Sequence, residues 1–429
     1  MSRIPLALLL AFGSGSSFAQ VAAPAVKRPA QPPASAAAAS FARVDQLLQE
    51  YVAANRVPGA IALVMRDGQV LYRKAMGLEN VAANTPLRPD AIFRIASQTK
   101  AVTSVGLMLL YDEGKFQLDD PVSKYLPAFR NGRVLATFNA QDSSYTTVPA
   151  RSAVTIRQLF THTSGISYPV IGTREARAIY AKARIPSGIG TPTGSLAASM
   201  DALGALPLLH QPGERFTYGL SVDVLGRLIE VLAGQSLDQY LRKRLFEPLG
   251  MKDTFFYLPA DKQGRLATLY TEDAAKNNAP MAPRDGLTPD YPKAPGTYFS
   301  GGAGLSSTID DYAAFLQMLL NNGTYRGRRY LKPATVALIT QNHIGDVNEG
   351  ANKFGLGFSL TTAQSARQPG LSAGSYEWGG IFGTTYWVDP KQKIVALIYT
   401  QKYPNSTGGD LAGKFKTAVY ETFGPQPNK

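Results

Sequence analysis

The sequence predicts an α/β (α+β) fold, an antiparallel sheet with flanking helices plus an inserted, mainly helical lobe. Three observations lead there. Strand-like runs lie toward both ends of the chain, helical periodicity fills the middle, and adjacent strand runs read as hairpins rather than as strands joined by crossover helices. With 45% hydrophobic and 17% charged residues in 429, the composition is that of a folded chain with ample core.

In chain order, residues 1–19 read as a signal peptide. Arg3 supplies the positive start, residues 4–12 the apolar stretch, and Ser17-Phe18-Ala19 the small-residue cleavage site. The expected location is therefore periplasmic or secreted, in a bacterial setting. The apolar stretch is too short to span a bilayer, so no stable membrane insertion is expected. Residues 20–40 are Ala/Pro-rich and read as a linker. The main domain is expected over 41–425, with an α/β lobe from about 41–95 and 300–425 and a helical lobe over about 96–299.

Within that domain "FARVDQLLQEYVAANRV" carries helical spacing. "IALVMRDGQVLYRKAMG" is a hairpin turning at Asp67-Gly68. "KAVTSVGLMLLYDEG", "TIRQLFTHTSG" and "VDVLGRLIEVLAG" read as helices, with a long polar loop around 130–152 between the first two. Residues 259–300 show little periodicity. "SGGAGLSSTIDDYAAFLQMLLNNG" gives a glycine turn, a Ser/Thr cap and a helix stopped at Asn-Gly. "FGLGFSL", "GTTYWVDP" and "KIVALIYTQ" read as strands, the last two joined at Asp389-Pro390, and "LAGKFKTAVYETF" as a closing helix.

The formal charge is +13 with no cysteine. Disulfides, thiolate nucleophiles and thiolate metal sites are excluded. The basic runs "LRKRLF" and "YRGRRYLK" lack the aromatic interleaving of a base-stacking surface, so no nucleic-acid partner is expected.

Three motifs carry chemistry. In "FRIASQTKAVTS", Ser97 and Lys100 stand three positions apart on a helix and share a face. A serine hydroxyl needs a neighbouring base, and a lysine serves as one where burial lowers its pKa. The apolar run after Lys100 makes burial the expectation. In "GERFTYGLSVDVLG", Tyr218 sits at an element boundary where its hydroxyl can relay the serine proton. In "EWGGIFGTTYWVDP", Gly379 and Gly380 after Trp378 let backbone approach a ligand closely.

In this order and spacing the three motifs resemble the serine β-lactamase and penicillin-binding-protein superfamily, closest to its class C-like branch, the family VIII carboxylesterases. "LDDPVSKYLP" and "LFTHTSGI" add to the likeness, which runs over about residues 41–420. The resemblance implies a β-lactamase/transpeptidase-like fold and a serine carboxylesterase. Ser97 would be the acylated nucleophile, Lys100 and Tyr218 the acid/base pair, and the backbone N–H groups of Ser97 and Ile381 the oxyanion hole. Two departures bear on substrate. Penicillin-handling relatives carry Tyr-x-Asn where this chain has Leu220 in the third position, and Lys-Thr-Gly where it has Trp378-Gly379-Gly380. Both changes favour short or medium neutral esters over β-lactams. Leu220, Trp378, Gly379 and Gly380 are expected in the pocket, with Tyr298 and Phe299 from the 265–300 loop. The alternatives are a class C-type β-lactamase, a DD-peptidase, or a penicillin- or peptide-binding sensor without turnover.

Gly370-Leu371-Ser372-Ala373-Gly374 matches a nucleophile elbow, but no histidine follows it and no strand precedes it. His162, His210 and His343 are scattered and make a poor zinc site, with His162 expected to bond backbone carbonyls. No metal and no cofactor are expected, and the partner is a small-molecule ester.

Overall fold

The hairpin expected at Asp67-Gly68 is present: Gly59–Arg66 pairs with Gln69–Asn80, and both turn residues have positive φ, 51° and 77°. That combination belongs to the two-residue turn whose twist matches the flanking strands. The computed structural model describes residues 41–424 apart from 285, 348, 349, 368, 407 and 408. The signal peptide and linker expected over 1–40 lie outside the described residues.

Gly59–Arg66 is central in an eight-stranded sheet. On one side follow Gln69–Asn80 and Thr85–Pro86. On the other follow Ile394–Tyr399, Thr384–Asp389, Tyr376–Gly380, Ser359–Leu360 and Lys353–Phe354. Every neighbouring pair is antiparallel, with Ile61 opposite Tyr399 and Gly380 opposite Thr384. The hairpin read at Asp389-Pro390 thus forms the inner part of the sheet.

Alternating residues separate two cores. Ala60, Ala62 and Val64 join Trp387 beneath the first helix, Ala42–Ala53, and the last, Leu411–Phe423. Ile61 and Leu63 join Tyr399 and Leu397 on the face toward the helical segments. In that second core lies the helix Thr99–Asp112, buried on every side from Thr99 to Leu110. A helix apolar all round belongs in an interior; this one packs against Ser221–Ala233.

Two expectations on local structure change. The long loop around 130–152 contains a hairpin, Arg133–Phe138 with Tyr145–Pro149. Both strands are largely exposed, so they lack the in–out hydrophobic alternation that marks a half-buried strand. "FGLGFSL" holds only the two-residue strands Lys353–Phe354 and Ser359–Leu360, within or beside it. The helix Ile309–Leu320 is capped by Thr308, whose hydroxyl accepts from Asp311 N, and stops before Asn322 and Gly323, both with positive φ.

Candidate active site

Ser97 is presented by a turn between sheet and helix. Phe93–Arg94 pairs with Ser306–Ser307, the chain passes through Ala96 at φ 42°, and Ser97 falls in the short 3-10 helix Ala96–Gln98 that leads into Thr99–Asp112. A non-glycine residue in the left-handed region stores strain of about 1–3 kcal/mol, and such residues cluster at functional sites. Ser97 itself remains partly exposed, whereas Gln98, Thr99 and Lys100 are buried.

Lys100 Nζ donates to Ser97 Oγ at 3.3 Å, to the Tyr168 hydroxyl at 3.1 Å and to the Gly302 carbonyl at 2.8 Å. Three acceptors match the three N–H bonds of an ammonium. The sequence reading expected burial to make this lysine a base. Burial does pull its pKa down, but Tyr168, Tyr218 and Asp223 outweigh it, and the net displacement is upward. The charged form is therefore favoured.

Beneath the lysine lies Asp223, fully buried in Ser221–Ala233. Its Oδ1 accepts from Ser300 Oγ at 2.7 Å, while Oδ2 has no hydrogen-bond partner. Burial raises the carboxyl pKa against the pull of Ser300 and Lys100. A side chain on Gly302 would enter the space between Asp223 Oδ2 and Lys100 Nζ. Glycine there leaves carboxylate and ammonium within about 6 Å, close enough for each to favour the other's charge.

Tyr218 stands in an aromatic nest. Its ring centroid is 4.6 Å from Lys100 Nζ, 4.8 Å from the His162 ring, and 5.6 Å from both Tyr168 and Trp378. Trp378 Nε1 points at the Tyr218 hydroxyl from 3.4 Å. His162 does not bond backbone carbonyls as expected. Its Nδ1 accepts from Gly219 N at 3.4 Å, and burial with the nearby Lys100 charge lowers its pKa, keeping the ring neutral. It buttresses the tyrosine.

The backbone around Ser97 and Ile381, the pair expected to bind an oxyanion, is closely packed. Ser97 lies in the first turn of its helix, where amides lack intrahelical acceptors, and Ile381 follows the end of Tyr376–Gly380. A side chain on Gly380 would collide with the Ile95 carbonyl and approach Thr384 Oγ1 to 2.5 Å. The strand thus runs hard against the turn that carries Ser97. Gly380→Ala is expected to push it away and lower kcat on a p-nitrophenyl ester by about 100-fold, the usual cost of losing an oxyanion donor. Stopped assays beside melting curves separate that loss from unfolding.

Two pocket expectations, Leu220 and Tyr298, fall in the core, while Phe299 stays partly exposed. Leu220 precedes the helix Ser221–Ala233 and is wholly buried in the main core. Tyr298 is also core, 1% exposed. Phe299 packs on Phe256 and Tyr257 at 5.4 and 5.8 Å. Adjacency to a motif or to a loop did not reveal side-chain direction. A cavity bordered by Ile381 is lined by Pro169, Val170, Ile171, Ile189, Met281 and Leu287, and Trp378, Gly379 and Gly380 are not among its walls. Tyr168 and Asp223 were not anticipated at all. Asp223 left one trace in the sequence, a lone carboxylate between Val222 and Val224 on an apolar helix. Ser372, the elbow decoy, is buried, its amide held by Asp389 and its hydroxyl by Gln392.

With this geometry the comparisons with known proteins agree. The β-lactamase family matches residues 44–419. The chain belongs to the β-lactamase family. Among relatives, Protein Rv1367c of Mycobacterium tuberculosis is 35% identical, over 88% of this chain and 95% of its own. Esterase EstB of Burkholderia gladioli is 30% identical, over 90% and 96%. The solved structure of EstCE1, described as a hydrolase with promiscuous acyltransferase activity, superposes with a TM-score of 0.77 at 28% identity, covering 90% of this chain and 99% of that one. The β-lactamase-like fold is thereby shown. No described helix is long and apolar enough to cross a membrane. Among the described residues no cluster of three or more His, Asp or Glu is placed to hold a metal ion.

Proposed function

We propose that this chain is an exported serine carboxylesterase that works through an acyl-Ser97 intermediate. The observation that carries this reading is Lys100 joining the partly open Ser97 hydroxyl, to which it bonds, with Tyr218, over whose ring it lies, and an indole at the position of the family's lysine. Family membership and the relatives named esterase support the activity class.

In the proposed reaction Tyr218 enters as the phenolate, and Ser97 Oγ attacks the ester carbonyl carbon as its proton passes to that phenolate oxygen, leaving neutral Tyr218 and the tetrahedral oxyanion. The Lys100 ammonium stabilises the negative charge that moves between these oxygens. The amides of Ser97 and Ile381 bind the oxyanion. Collapse breaks the bond to the alcohol oxygen, which takes the proton back from Tyr218. Water then attacks the acyl group by the reverse relay, releasing the acid and free Ser97.

Trp378 brings an apolar, uncharged wall where a cation would bind the carboxylate of a β-lactam. Side-by-side kinetics with p-nitrophenyl butyrate and nitrocefin test this. Multiple turnover of the ester with nitrocefin at least about 100-fold slower in kcat/KM is expected. Faster nitrocefin turnover would replace the esterase reading by the β-lactamase one. A single stoichiometric burst on both would make the protein a covalent sensor.

A further inference from the structure

We propose that the cleft beside Ser97 selects esters that also carry a carboxylate, seated at the cleft mouth by Arg177 and Arg284. This inference rests on the ester-hydrolase reading and adds the substrate class. The cavity holds about 340 Å³ and is lined by three residues that adjoin the reacting centre in sequence or packing. Ile381 follows Gly380, Pro169 follows the lysine-bonded Tyr168, and Phe382 packs with Ala96, the neighbour of Ser97. Apart from Ser187 and Tyr403 its other walls are apolar, and no carboxylate lines it among the described residues.

Both arginines sit on fixed backbone. Arg177 belongs to the helix Arg174–Lys182, which Tyr180 ties to the Tyr168 segment by accepting from Ser167 N at 3.2 Å. Arg284 exchanges two backbone hydrogen bonds with Leu287, at 3.0 and 2.8 Å, and its guanidinium lies 5.9 Å from the ring centroid of Tyr403. Neither is ion-paired among the described residues, while nearby arginines are: Arg94 meets Asp290, and Arg265 meets Asp90 and Asp253. Both side chains are exposed, and with no ion pair to another described residue their planar forks suit bidentate capture of a carboxylate at the cleft mouth. Exposure makes that attraction sensitive to salt. Where the family's cation is lost at Trp378, this cavity carries cations of its own. The charge is recognised away from the ester rather than beside it.

The carboxylate can belong to either half of the ester, and two matched pairs separate the cases. Monomethyl adipate is compared with methyl hexanoate, and the butyryl ester of 4-hydroxybutanoate with butyl butyrate. Turnover is followed by pH-stat at low ionic strength. At least one anionic ester is expected to exceed its neutral match about tenfold in kcat/KM, chiefly through KM. In Arg177→Ala/Arg284→Ala the ratio should fall to about one, with methyl hexanoate turnover unchanged. Preference for the neutral ester in both pairs, or a preference that survives the double substitution, overturns the proposal. Calorimetric binding of monomethyl adipate to Ser97→Ala reads the subsite without turnover. Binding that vanishes with both arginines supports it even if the ester-hydrolase reading fails, and binding indifferent to them overturns it.

Discussion

Ser97→Ala is expected to lower ester turnover by about 10^5-fold, to the level left by binding and the oxyanion amides alone. The hydroxyl accepts one hydrogen bond, from Lys100 at 3.3 Å, and is partly open to solvent. Its loss leaves Lys100 still bonded to Tyr168 and to the Gly302 carbonyl. The stability change should therefore stay within about 1 kcal/mol, as for substitutions that open no cavity and strand no charge. The turn through Ala96 supports the adjoining residue with its backbone, so the variant should keep the wild-type melting curve. Turnover of p-nitrophenyl butyrate and labelling by a fluorophosphonate, located by peptide mass spectrometry, check both halves. Label on a peptide without Ser97, or undiminished turnover in the variant, would remove this serine from the mechanism. Ser372 is a poor heir, since its hydroxyl is buried and hydrogen-bonded to Gln392.

What could be read in advance was what depends on local spacing. Ser97 and Lys100 meet because three residues on a helix return to one face, and that needs no tertiary knowledge. The Asp67-Gly68 turn and the Leu411–Phe423 helix were likewise set by turn chemistry and periodicity. The long-range partners were not legible. Tyr168 reaches Lys100 across 68 positions and is one of 21 tyrosines, with no pattern around it that marks it out. Leu220 shows the opposite failure. It was expected in the pocket from its place in the motif, but the start of Ser221–Ala233 turns that side chain into the core. The sign of the Lys100 shift depends on the same hidden neighbours. From the flanking sequence only burial was visible, and burial alone predicts the wrong direction.

That sign makes a second large effect predictable. Lys100→Ala should lower kcat by about 10^3- to 10^4-fold, within the range for losing an acid/base participant. It should also destabilise the fold by about 1–3 kcal/mol, because the buried Asp223 then loses the positive charge that helps offset its desolvation. Adding Asp223→Asn removes that stranded charge. The double variant is expected to regain most of the lost melting temperature and none of the lost kcat. Recovery of activity along with stability would reduce Lys100 to a countercharge for Asp223. The pH dependence follows from the same direction of shift. A lysine whose folded pKa lies above its free value of about 10.4 contributes stability that is complete below that value and fades only as pH rises through the folded one. Chemistry depends on the same charge: the Lys100 ammonium favours the anionic form of the oxygen beside it and so eases departure of the Ser97 proton. kcat/KM should therefore show no loss between pH 7 and about 9, and should fall together with the Lys100 contribution to stability as pH rises through the folded pKa. A rate that instead keeps climbing through about pH 10 would mean that the reaction needs Lys100 neutral, as the base.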